Sequence, residues 1–263
     1  MFAAIAACFM EKISGLEFAF VDRRLLRTHG IDISILVEIF RKRDAGELVQ
    51  EGPKSTVRRC SVGDQEIYLK IYLARGFRRW IAAGPYRRAL NAFKNASRLA
   101  DLGVNTAPVL AVVKGDCDGT AARSGLFTLS LFPAQSTQLF FLNRLSDGSA
   151  MERRHQLLDE LAGFIFHIHE KGIYPKDFKH SNVLVRETGP GHSFYLVDYD
   201  GFLFLKSVSA RRRLKNLYQI GSTLRPPLSR AELRFLLQCY GERKPSLQGS
   251  LETLADEIEK RIE

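Results

Sequence analysis

The stretch Lys176-Asp177-Phe178-Lys179-His180-Ser181-Asn182-Val183-Leu184-Val185 decides how the rest of the chain is read. It sets an aspartate and an asparagine five residues apart on a polar loop, and the loop runs directly into a short apolar strand. Ahead of it, Met151–Lys171 carries apolar residues at helical spacing and is stopped by Gly172. Behind it, Thr188-Gly189-Pro190-Gly191 turns the chain into a second apolar strand, which ends Tyr195-Leu196-Val197-Asp198-Tyr199-Asp200-Gly201. Asp198 comes sixteen residues after Asn182, so a hairpin brings its carboxylate back to face the asparagine. Far upstream, Ile67-Tyr68-Leu69-Lys70-Ile71-Tyr72 places a lysine inside an apolar strand.

Phosphoryl transfer from ATP needs these residue types. A lysine neutralises the α- and β-phosphates, oxygen ligands from two chain segments hold Mg²⁺ on the phosphates, and a carboxylate takes the proton of the attacking hydroxyl. The spacing D-x-x-x-x-N puts base and metal ligand on one short loop. Each piece alone is common: strand lysines usually sit at edges, the Asp–Asn spacing arises by chance, and Asp-Tyr-Asp-Gly is an ordinary turn. Their order, with the flanking strands and the preceding helix, points to a kinase.

Periodicity organises the remainder. Residues 1–45 read as an irregular, partly helical extension. Val57–Ser61 and Ile67–Tyr72 are strands joined by the turn Val62-Gly63-Asp64-Gln65. Pro85–Leu102 has apolar residues at helical spacing and a basic outer face, and Val109–Val113 and Leu126–Phe132 are two further strands. From Ala210 onward the chain is helical, with a break at Pro226-Pro227. The expected fold class is α+β: a strand-rich half over residues 46–134, then a mostly helical half over residues 135–263.

Lys+Arg total 39 against 29 Asp+Glu in 263 residues, a formal charge of +10. Ile67–Ala100 holds no acidic residue but carries Lys70, Arg75, Arg78, Arg79, Arg87, Arg88, Lys94 and Arg98. Such a one-sign field suits an anionic partner: an anionic membrane face, a phosphorylated ligand or nucleic acid. Nucleic acid is the weaker choice, because no zinc-finger spacing, basic-region heptad or aromatic RNA-binding signature is present. No apolar run approaches the ~20 residues needed to cross a bilayer. Met1–Met10 is too short, and lacks the basic start, for a secretory signal. The four cysteines, Cys8, Cys60, Cys117 and Cys239, are far apart and form no C-x-x-C pair, which argues against a zinc site and a disulfide framework and suits reduced thiols in the cytosol.

On these motifs the chain resembles the protein-kinase-like superfamily and, within it, the bacterial lipopolysaccharide kinase family, the Kdo and heptose kinases of the inner core. Asp-Tyr-Asp in place of Asp-Phe-Gly is similar to that family, as are the run Leu102-Gly103-Val104-Asn105-Thr106-Ala107-Pro108 and the tail Arg211–Leu224. The resemblance spans Leu48 to Tyr240. It implies a two-lobed fold, with a small antiparallel-sheet N-lobe and a mostly helical C-lobe. Asp177 is then the catalytic base, or the residue that orients the sugar hydroxyl; Asn182 and Asp198 bind Mg²⁺. Lys70 contacts the ATP phosphates and Lys179 steadies the γ-phosphate. The turn containing Gly52, Lys54 and Ser55 covers the phosphates with its backbone N–H groups, and adenine meets the backbone from Phe132 to Ala134. The implied partners are a lipopolysaccharide precursor, Kdo-lipid A or core oligosaccharide, and the anionic membrane surface, at the inner face of the cytoplasmic membrane. No nucleic-acid partner is expected.

Two departures stand out. Pro175 occupies the position where kinases usually carry a histidine. Pro85–Leu102 offers no acid before Asp101 to pair with Lys70, which makes Asn91 the expected occupant of that place. Phe166-His167-Ile168-His169 is not a metal motif, because helix residues two apart face different ways. Asp200 has no superfamily role; an arginine of the tail helix and the sugar are both open partners. Two other functions remain open: a kinase of another acceptor, protein or small molecule, and a nucleotide-binding pseudokinase that acts as a scaffold.

Overall fold

Side chains that alternate between two faces, and one broken alternation, shape the first half of the protein. The structure, a computed structural model, describes residues 11–42, 44–73, 83–115, 123–144 and 151–260. The apolar start Met1–Met10, Cys8, Cys117 and arginines 75, 78 and 79 lie outside these residues. The chain divides into two compact units, Met1–Leu131 and Phe132–Glu263.

The first unit runs β1 (Glu11–Ile13), β2 (Leu16–Val21), α1 (Arg23–Thr28), α2 (Ile33–Arg41), β3 (Glu47–Glu51), β4 (Ser55–Val62), β5 (Gln65–Leu73), α3 (Ala83–Asp101), β6 (Val109–Gly115) and β7 (Arg123–Leu129). Its strands form one antiparallel sheet in the order β1-β2-β6-β7-β5-β4-β3. In β5 the odd-numbered Ile67, Leu69 and Ile71 enter a core shared with Leu26, Leu36, Phe40 and Phe127, so α1 and α2 cover that face. The even-numbered Tyr68, Lys70 and Tyr72 therefore point to the opposite face, where α3 lies with Ala89, Ala92, Phe93, Ala96 and Leu99 buried. A bulge between Phe18 and Phe20 breaks the alternation of β2. Phe18 enters the core with α2, whereas Phe20 stacks on Phe93 of α3 at 4.2 Å.

Residues 11–42 correct the expectation of an irregular extension. They supply two strands and two helices to this same sheet and core. Asp22 and Asp32 cap the helices, accepting from the backbone N–H of Leu25 and Ser34, each at 2.8 Å. Arg123 closes the other end of α2 by donating to the carbonyls of Phe40 (2.7 Å) and Arg41 (2.9 Å).

The second unit runs β8 (Gln135–Ser136), α4 (Thr137–Arg144), α5 (Met151–Glu170), β9 (Ile173–Pro175), β10 (Val183–Thr188), β11 (Gly191–Leu196), β12 (Phe202–Phe204), α6 (Ala210–Thr223), α7 (Arg230–Arg243) and α8 (Gln248–Lys260). The expected hairpin β10–β11 forms and takes β8 as a third strand; β9 pairs with β12. α5 buries Leu157, Leu158, Leu161, Ile165 and Ile168 and packs on α7, which packs on α8. Ser229 and Glu232 form a capping box at the start of α7, and Glu232 also pairs with Arg154 of α5. Gly172 ends α5 at φ +73°, where a Cβ would clash with the carbonyl oxygen of Leu205. Cys60 and Cys239 are free, buried thiols.

Candidate active site

The backbone of the second unit gathers the residues singled out there. β9 pairs Pro175 with Phe202 of β12, and the Lys176 N–H donates to the Gly201 carbonyl at 2.7 Å, so Asp177 leaves the strand beside Gly201. His180–Asn182 forms a 3-10 turn closed by the Asn182 N–H on the Lys179 carbonyl at 2.9 Å. The Asn182 carbonyl accepts from the Val197 N–H at 3.0 Å, which fixes the end of β11 next to the loop. The next residue, Asp198, has φ +63°, in the left-handed region that non-glycine residues rarely enter. Held backbone strain of this kind clusters at functional sites.

A cavity of about 170 Å³ results, and Asp177, Asn182, Asp198 and Asp200 all line it, with Phe178 and Phe202 among its apolar walls. Lys179 meets the Asp177 carboxylate at 3.0 Å, and that carboxylate is mostly exposed. The nearly buried Asn182 donates from Nδ2 to the Asp177 carbonyl at 3.0 Å. This sets the orientation of the amide and leaves Oδ1 as its end for a cation. Among the described residues no group of three or more His, Cys, Asp or Glu side chains is set to hold a metal. The oxygen donors lining the cavity are the amide of Asn182 and the carboxylates of Asp177, Asp198 and Asp200. An amide oxygen with one or two carboxylates suits Mg²⁺, which keeps water and substrate phosphates as its other ligands.

A buried polar chain in the second unit, absent from the sequence-based expectations, holds this loop in place. Asn216 of α6 donates from Nδ2 to the Pro175 carbonyl (2.8 Å) and to Gln219 Oε1 (2.9 Å). Gln219 in turn donates to the Lys176 carbonyl at 2.9 Å, and its Oε1 accepts from the Phe178 N–H at 3.4 Å. The Thr223 hydroxyl accepts from the His180 N–H at 3.2 Å. Pro175 has no N–H to offer, but its carbonyl serves as the anchor point. Behind Asn216 lies fully buried His169, with Nε2 3.1 Å from Asn216 Oδ1 and Nδ1 2.8 Å from the Tyr240 hydroxyl.

Because both Asn216 donor bonds are spent on carbonyl-type oxygens, its Oδ1 must accept, and His169 carries its proton on Nε2. Tyr240 then donates to Nδ1 and itself accepts from Arg213 Nη1 at 3.0 Å. Burial pushes the His169 pKa down to about 4, with Arg213 acting the same way and the Asn216 bond opposing, so the ring is neutral near pH 7. Arg213 donates to the Glu170 carboxylate at 2.7 Å. His167, two residues before His169, is exposed on another face of α5, in line with the reading that the pair is no metal motif. Burial also lowers the pKa of His180, helped by Lys179.

The first unit carries the remaining expected residues of the strand and turn. Lys70 pairs in register with Val57 and Leu126, on the face away from the α1–α2 core, with Nζ 5.5 Å from the centre of the Tyr72 ring. The turn between β3 and β4 is closed by the Gly52 N–H on the Ser55 carbonyl at 2.9 Å, and the Lys54 carbonyl accepts from the Leu73 N–H at 3.2 Å. Asn91, expected beside Lys70, is exposed on α3. The α3 residue that reaches the turn is Arg88, which donates to the Lys54 carbonyl at 2.9 Å and lies over the Tyr72 ring at 4.9 Å. Phe132, 80% exposed, and Ala134 open the second unit ahead of β8.

A family model described as the lipopolysaccharide kinase (Kdo/WaaP) family matches residues 41–240. A solved structure of WaaP in complex with acyl carrier protein is similar at TM-score 0.61 and 17% identity, over 92% of this chain and 98% of that chain. At that identity the likeness shows the fold: α+β, an antiparallel sheet followed by a mostly helical half. No curated protein matches the chain.

Proposed function

The chain belongs to the lipopolysaccharide kinase (Kdo/WaaP) family, and from that premise we propose that it transfers the γ-phosphoryl group of ATP to a hydroxyl of a Kdo or heptose residue in the lipopolysaccharide inner core. The observation that carries this reading is that Asp177, Asn182 and Asp198 line one common cavity. In the transfer, the acceptor oxygen forms a bond to the γ-phosphorus as the bond from that phosphorus to the ADP oxygen breaks. The acceptor proton passes to Asp177, whose exposed carboxylate is open to an incoming sugar. Lys179, 3.0 Å from that carboxylate, steadies both it and the transferring group. Asn182 and Asp198 would hold Mg²⁺, which supplies charge neutralisation on the phosphates when bound. Lys70 contacts the phosphates, the turn with Gly52, Lys54 and Ser55 covers them, and the backbone from Phe132 to Ala134 meets adenine.

The N-lobe of this reading takes in residues 46–134 together with the strands and helices of residues 11–42 that share its sheet and core, and residues 135–263 are its C-lobe. The charge of +10 suits an anionic acceptor embedded in an anionic surface. Among the described residues no helix is long and apolar enough to cross a membrane. The proposed site of action is peripheral, at the inner face of the cytoplasmic membrane, where an anionic surface of this kind lies.

The test is incubation of the purified protein with Mg-ATP and Kdo-lipid A or core oligosaccharide, with phosphate incorporation read by mass spectrometry. Incorporation that Asp177→Asn abolishes is the expected result. Full activity of that variant would overturn the role of Asp177. Transfer to proteins or small alcohols alone would redirect the acceptor, and Mg-dependent ATP binding without any transfer would indicate a scaffold.

A further inference from the structure

The helix α3 contains no acidic residue from Ala83 to Ala100, yet it delivers a charged side chain to the phosphate-turn end of the sheet. That side chain is Arg88. It donates through Nη1 to the Lys54 carbonyl at 2.9 Å, and the same carbonyl accepts the Leu73 N–H at 3.2 Å. The guanidinium is thereby tied both to the turn before β4 and to the end of β5. It also lies 4.9 Å from the centre of the Tyr72 ring, while Lys70 Nζ lies 5.5 Å from the same centre. Tyr72 is fully buried, so one ring, with its negative faces, orders two cations from different elements.

We infer that Arg88 is a nucleotide-binding residue, a second cation for the polyphosphate beside Lys70. The inference rests on the kinase reading above and adds a residue to it. A guanidinium carries its N–H donors in a rigid plane, so a bond to a carbonyl orients the whole group. Planar, oriented guanidinium groups bind phosphate oxygens in pairs, which an ammonium does not. The helix here adds positive charge at the turn, where an acidic residue would subtract it, and this favours ligands in proportion to their phosphate charge. Arg88 therefore sets how strongly the protein prefers ATP over ligands that share its base and sugar.

The experiment measures affinities of the full-length protein for ATP, ADP and adenosine, with Mg²⁺ present, by titration calorimetry. Arg88→Gln is expected to weaken ATP by about 10- to 100-fold, the usual worth of a charge-assisted hydrogen bond, and to leave adenosine within about twofold. Arg88→Lys should fall between the two. Equal losses for ATP and adenosine would show that Arg88 only braces the turn, and no loss for either would show that it is idle; each overturns the inference. Failure of the unsubstituted protein to bind ATP would instead bring down the kinase reading. Should the variants not fold, hydrogen exchange on the unsubstituted protein decides. ATP, but not adenosine, is expected to protect amides 54–56 and 87–90, and identical protection by both would refute the role.

Discussion

Replacing Asn216 by Ala tests whether the buried polar chain, rather than the loop's own turn geometry, positions Asp177. The side chain is fully buried and makes bonds of 3.1 Å to His169 Nε2, 2.8 Å to the Pro175 carbonyl and 2.9 Å to Gln219 Oε1. Each such bond contributes about 1 kcal/mol net, and a partner stranded without water costs roughly 1–3 kcal/mol. His169 Nε2–H and the Pro175 carbonyl are stranded, whereas Gln219 Oε1 keeps the Phe178 N–H. The loss is therefore about 3–7 kcal/mol, reduced toward the lower figure where water enters the space left behind. Urea unfolding followed by circular dichroism measures it, and faster hydrogen exchange at amides 176–182 localises it. In turnover assays kcat should fall by up to about a hundredfold, as misplacing a reacting group by an ångström does. Affinity for metal-free ATP should hold, because the Lys70 and Arg88 elements are untouched, whereas Asn182 lies on the loosened loop. A stability loss below about 1 kcal/mol, or full turnover with a destabilised loop, would refute the reasoning.

Two further predictions concern the same unit. His169 accepts a proton near pH 6.5 in the unfolded chain but only at about 4 in the folded one; the unfolded state therefore binds more protons between those values, and stability declines by up to about 3 kcal/mol as pH falls through that window. Nitrogen-15 NMR of the histidine rings checks this directly: His169 should remain neutral, protonated at Nε2, down to pH 5, and titration near 6.5 would contradict it. Asp198→Gly removes a side chain from a left-handed position at φ +63°, so thermal stability should hold or rise by about 0.5–1 kcal/mol while acceptor phosphorylation is lost. Lower stability would show that the aspartate is a structural post rather than a site residue held under strain.

What could be read from the sequence followed its chemistry. The Asp177–Asn182 spacing and the hairpin to Asp198 were legible because a reaction demands those groups in that order, and α3 and α5 because long amphipathic helices announce their period. Residues 11–42 were opaque for a local reason. The bulge between Phe18 and Phe20 breaks the strand alternation of β2, and α1, of six residues, spans too few turns to show a period. The buried chain was hidden differently. Asn216, Gln219 and Thr223 recur at i, i+3 and i+7, one stripe of α6, and a polar stripe ordinarily means solvent. Only the pairing of β9 with β12, which brings the loop backbone against that stripe, converts it from surface into support. The detectable signal was the proximity in sequence of that stripe to buried Arg213, Leu217 and Ile220: a helix polar on more than one side, yet amphipathic, has a second polar surface to satisfy, and in a chain already short of loop-organising residues such as the histidine replaced by Pro175, the loop is the partner with unmet backbone groups.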